Sequence, residues 1–162
     1  MPLASIAKLV HILGMFSGYA LTLVPLFVLA YLARRGQVAA LEPILRARKP
    51  LGRMAGALVL VGLAAGVATM RLGGWSDTSP WIVASFVLFI AGGVWESAIA
   101  RPWERRLAAA LAAGGSATAD KEAGPELRAV LRSPRPLVGG WGAVASIAAI
   151  ASLMVLKPSF GL

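Results

Sequence analysis

His11 is the chain's single histidine, and Glu96 is the one acid that falls well inside an apolar stretch. Imidazole titrates near neutral pH and binds metals, so His11 is a candidate haem or metal ligand, or a proton acceptor. The plainer alternative is an interfacial residue hydrogen-bonded to a backbone carbonyl or to headgroup water. A carboxylate in lipid is costly unless partnered, which makes Glu96 a second candidate polar site. It also fits a structural ion pair, because Arg34, Arg35 and Arg53 should lie at its depth. Arg71 could face the carboxylate or phosphate of a ligand held near His11, or anchor a helix end. Thr22 shares an arc of about 80° with His11, Gly14, Gly18 and Pro25 at helical spacing, the most polar and least bulky stripe of its segment. With no cysteine and one histidine, the chain carries no zinc motif, no thiolate chemistry and no Ser-His-Asp set.

The elements that must position these residues are membrane spans. Of 162 residues 58% are hydrophobic and 14% charged, with a mean hydropathy of +0.76, whereas soluble domains carry about 25% charge. Four apolar stretches, at about 9–33, 54–70, 80–100 and 137–156, approach or exceed the roughly 20 residues needed to cross hydrocarbon. The first has about five residues more than that, which tilt or a kink must absorb. Thirteen of the sixteen Lys and Arg residues lie in the connections 34–53 and 101–136, leaving Lys8, Arg71 and Lys157 for the other side. This division predicts cytoplasmic connections and both termini outside. Trp75, Trp81 and Phe160 then mark the outer boundary, and Tyr31, Trp103 and Trp141 the inner one. The net charge of +9 belongs to these loops, so it does not indicate nucleic acid.

The expected fold class is all-α: a polytopic membrane protein with four transmembrane helices in one bundle and one domain over 1–162. The short turn 72–80 predicts an antiparallel hairpin of spans two and three. The first inner connection reads as partly helical, interrupted by Pro43 and Pro50. The second reads as a continuation of span three over 101–113, a flexible linker at 114–124 and a short helix at 125–132. Small residues carry the packing signal in lipid. Gly14 with Gly18, Gly52 with Gly56, Gly62 with Gly66, and Gly142 with Ser146 predict close helix contacts, within one chain or between copies of a homo-oligomer. Depth separates the two candidate sites: His11 falls near the outer boundary and Glu96 near the inner one, roughly 20 Å apart at 1.5 Å per residue.

The segments Leu9-Val-His-Ile-Leu-Gly14, Arg71-Leu-Gly-Gly-Trp75 and Trp81-Ile-Val-Ala-Ser-Phe86, with the Arg-rich first connection, resemble a bacterial family of predicted integral membrane proteins of unknown function, over about residues 6–106. In layout that family is similar to copper-resistance membrane proteins and to the membrane protoporphyrinogen oxidase that uses haem. The resemblance implies His11 as ligand and haem as cofactor, although the lysine that the oxidase pattern carries in a later span is absent from spans two to four.

Three functions compete. The first is a non-enzymatic bundle that binds a lipid, a small hydrophobic ligand or a membrane partner, and the shortage of polar groups favours it over an enzyme. The second is a haem- or copper-associated redox protein with His11 as ligand and Arg71 beside the cofactor. The third is an oligomeric transporter or channel with Glu96 lining the path. Abundant Ala, Gly and Arg fit a GC-rich bacterium, and hence its inner membrane.

Overall fold

The structure, a computed structural model, describes residues 2–113 and 124–157. Five helices follow one another: α1 Leu3–Arg34, α2 Val38–Leu72, α3 Pro80–Ala113, α4 Pro125–Leu131 and α5 Arg135–Leu156. The described residues form no strand. Four helical stretches are long and apolar enough to cross a membrane: α1, α2, α3, and α5 together with α4. Residues 114–123, which hold most of the expected linker, and 158–162, with Phe160, lie outside the described residues.

The connection 34–53 differs from its expected form. Only Arg35, Gly36 and Gln37 separate α1 from α2, and the rest is the first half of α2. Gly36 adopts φ +67°, which lets the Gly36 and Gln37 amides donate to the Ala33 and Leu32 carbonyls, both at 3.1 Å. This is a helix ending that a residue with a Cβ adopts only at a cost. Pro43 and Pro50 do not interrupt α2. Both are exposed, so the carbonyls that lack their amide donors face outward rather than into a core. Pro102 likewise sits within α3, which continues to Ala113 as expected.

Spans two and three do not form the expected hairpin. α1 packs along the length of α2, and α3 along α5, whereas α2 and α3 scarcely touch despite the short turn between them. The reason lies in the small residues. A Cβ on Gly14 would stand 2.9 Å from the Gly62 Cα and the Leu58 carbonyl oxygen, so α1 and α2 meet backbone to backbone. On α3, Ser146 of α5 donates to the Leu88 carbonyl at 2.8 Å, and the Trp95 indole donates to the Val138 carbonyl at 3.3 Å. Gly52 and Gly56 of α2, expected on a buried face, have nothing within 4 Å of where a Cβ would be.

The apolar core lies at the end of the bundle away from the 73–79 turn. Leu26, Leu29, Leu41, Trp103 and Leu107 are almost fully buried there, with Leu127, Val130 and Leu131 of α4 completing the cluster. Trp103 is therefore a core residue rather than an interfacial anchor, its indole donating to the Val130 carbonyl at 2.9 Å. This core also absorbs the apolar excess of the first stretch. Leu23, Leu26, Leu29, Ala30 and Ala33 are buried against protein, while Phe16 is 75% exposed nearer the other end.

Candidate functional site

His11 sits in the α1–α2 seam. Its Nδ1–H donates to the Gly62 carbonyl at 2.7 Å, since a carbonyl oxygen can only accept. The ring lies over Gly66, where a Cβ would come within 2.7 Å of Nδ1. The donated proton fixes the tautomer and leaves the Nε2 lone pair free to accept. The described residues hold no group of three or more His, Cys, Asp or Glu side chains able to hold a metal ion. Arg71 is exposed in the last turn of α2, with no hydrogen bond or ion pair to His11.

Thr22 enters through its backbone. Its hydroxyl donates to the Gly18 carbonyl at 3.1 Å, while its own carbonyl accepts from Arg48 Nη1 at 2.6 Å. Pro25 lacks the amide that would donate to the Leu21 carbonyl, one residue before that of Thr22. The other Arg48 nitrogen, Nη2, pairs with Glu104 of α3. One guanidinium thus ties α1, α2 and α3 together, with side chains only 14% (Arg48) and 17% (Glu104) exposed. Burial pushes the Glu104 carboxyl above its ordinary value, and the guanidinium beside it pulls part of the way back. Glu104 lies beyond the apolar span 80–100, in the polar continuation of α3.

Sequence reasoning took Arg48 for a topological charge and passed over Glu104. Residues 56 positions apart have no periodicity to connect them. The one available signal was Glu104 itself, an isolated acid in the basic run from Arg101 to Arg106.

The Arg48–Glu104 pair lies in a cleft of about 1680 Å³ between the two helix pairs, opening where α2 and α3 splay. Towards the 73–79 turn the walls are apolar or bare, with Val59, Phe89 and Ile90 alongside Gly56 and Gly93. At the other end, Lys49, Arg53, Arg101 and Arg105 line it. Glu96 faces this space as well. Among the described residues no cation stands within ion-pair distance of Glu96, so the expected helix-locking pair falls to Glu104 instead. His11 does not line the cleft, and the two residues occupy separate sites.

At the far end of the bundle, the Lys157 ammonium stands 4.2 Å from the centre of the Trp75 ring, which meets Trp81 edge to face at 5.6 Å. This is a self-satisfied aromatic anchor.

No curated protein and no solved structure matches the chain. A family model described as "Predicted integral membrane protein (DUF2269)" matches residues 5–158, and the chain belongs to that family.

Proposed function

We propose that this chain is a non-enzymatic membrane bundle that holds a lipid in the cleft between its two helix pairs, in a bacterial plasma membrane with the basic end facing the cytoplasm. The observation that carries this reading is the splay of α2 from α3, with the bare Gly52 and Gly56 surface on the open wall. A lateral opening between membrane helices admits molecules from the bilayer. Its volume, about 1680 Å³, exceeds the roughly 300–1,000 Å³ of compact ligand sites, which favours a chain-bearing occupant. In lipid, small residues ordinarily mark helix contacts; here they border space.

Native mass spectrometry of the detergent-purified protein tests this. The wild type retains one phospholipid, and Gly56→Leu, which fills open space without touching the α1–α2 seam, loses it while keeping its thermal stability. Unchanged retention in Gly56→Leu overturns the reading. So does a two-chain mass that collapses to one chain in that variant, since the cleft then belongs to a second copy.

A second reading rests on His11. An imidazole whose Nδ1–H is fixed by a backbone carbonyl presents Nε2 in the manner of metal-ligating histidines, which supports a haem- or copper-associated role. Protein expressed with added haem then shows a visible absorption band that His11→Ala removes. A featureless spectrum eliminates this reading.

A further inference from the structure

The cationic residues of the first and second basic segments do not all serve one purpose. Some point away from the cleft: Arg46 pairs with Glu42 one turn back, and Arg35 stacks on the Tyr31 ring at 5.3 Å. Lys49, Arg53, Arg101 and Arg105 instead converge on the cleft, two from α2 and two from α3. Topology requires cations near this end of the helices, but it places no demand on which way they face. Within the cleft, Arg48 is neutralised by Glu104, leaving these four cations against the single carboxylate of Glu96.

Two α2 cations therefore face two α3 cations across a gap where the helices barely meet. Like charges gathered around a cleft whose walls are partly apolar raise the local potential and attract a counter-ion. An occupant with an acidic group at this level and a hydrocarbon chain against Val59, Phe89 and Ile90 satisfies both halves. Arg53 and Arg101 stand nearest the apolar half by sequence position, and guanidinium matches phosphate oxygens in fork geometry.

We infer that the cleft selects an anionic phospholipid, with its phosphate bound between Arg53 of α2 and Arg101 of α3 and an acyl chain along the glycine-bordered wall. This inference rests on the lipid-holding reading above and adds the charge class of the lipid. The bound headgroup bridges the splayed helices α2 and α3, a role that Arg48 and Glu104 fill on the deeper side.

The test compares phosphatidylglycerol with phosphatidylcholine of identical chains, each titrated onto the delipidated full-length protein and read by native mass spectrometry. Phosphatidylglycerol should saturate the wild type at a concentration on the order of tenfold lower, as expected for a few juxtamembrane cations acting on one anionic headgroup. In the double variant Arg53→Gln/Arg101→Gln the preference should fall to near parity, with phosphatidylcholine retention unchanged. The control Arg34→Gln/Arg106→Gln removes the same charge from exposed positions that do not line the cleft and should preserve the preference. Equal retention of both lipids by the wild type overturns the charge class while leaving the lipid-holding reading intact. Retention of neither lipid overturns both. Loss of the preference in the control as well as the double variant overturns the assignment to Arg53 and Arg101. Glycerol phosphate displacing phosphatidylglycerol at equal concentration also overturns the inference, because the site would then take a soluble phosphate ester rather than a lipid.

Discussion

A hydrogen bond from Nδ1 to the Gly62 carbonyl fixes His11, and the missing side chain of Gly66 makes room for the same edge of the ring. Two substitutions separate these contributions. His11→Phe keeps a ring of similar bulk but removes the donor to Gly62, and should cost about 0.5–1.5 kcal/mol, the net value of one such bond. Gly66→Val places branched carbon where even a Cβ stands 2.7 Å from Nδ1. It should cost more, about 1–3 kcal/mol, by forcing the ring or the helix to shift. Thermal unfolding in detergent, followed by circular dichroism, checks the order, and equal losses would refute the steric part. The stripe of His11, Gly14, Gly18 and Thr22 was legible in the sequence because helical periodicity alone defines it. The Gly62 and Gly66 face was legible for the same reason. That the two faces meet was not, since periodicity gives the face of a helix and never the identity of its partner.

At the level of elements, α1 and α2 depend on close backbone approach, whereas α2 and α3 depend on an ion pair and whatever fills the gap between them. Gly14→Leu should therefore disrupt the bundle, because a Cβ there already falls 2.9 Å from the backbone of α2, while Gly56→Leu should not. Size-exclusion profiles in detergent distinguish them: aggregation or loss of yield for the first, a wild-type profile for the second. Removing one partner from the Arg48–Glu104 pair strands a largely buried charge, at a cost of about 1–3 kcal/mol after allowance for the remaining exposure. Glu104→Ala should therefore destabilise more than Glu104→Gln, which retains an acceptor for the guanidinium. The pH response has a definite sign. Because burial raises the Glu104 carboxyl in the folded chain, the folded state binds that proton more readily than the unfolded state does. Its stability thus declines as pH climbs from the ordinary carboxylate value through the raised one, and the cost is fully present above both. Glu104→Gln cannot titrate, so wild type should gain on this variant as pH falls from 7 into that window, seen as a change in their difference in Tm. A difference that does not vary with pH would contradict it. Spans two and three looked like a hairpin because a short turn connects them, but turn length constrains only their ends. Packing along their length is decided by which glycines find a partner.

The whole molecule has two ends with different chemistry. From mid-span towards the 73–79 turn the helices expose apolar side chains such as Phe16 and Leu60, 75% and 69% exposed, and glycine contacts hold the α1–α2 seam together. At the other end Leu29, Leu41, Trp103 and Leu107 form a dense core shared by α1, α2, α3 and α4. The four spans were legible from hydropathy. The core was not, because the apolar residues of α1 that build it continue the lipid-facing run without a break in composition, and an apolar side chain is equally suited to lipid and to protein. The count of cations still gives an orientation: thirteen of sixteen lie in 34–53 and 101–136, so the core end should face the cytoplasm. The absence of cysteine makes this directly testable in intact cells with single substitutions at exposed positions. Asp77→Cys, in the turn between α2 and α3, should react with a membrane-impermeant maleimide added outside. Arg46→Cys, on the exposed side of α2 near the core end, should react only after the plasma membrane is permeabilised. The reverse pattern would invert the orientation and place the cationic mouth of the cleft in the outer leaflet. Labelling of both from outside would contradict a span between positions 46 and 77, because α2 could not then separate them across a bilayer.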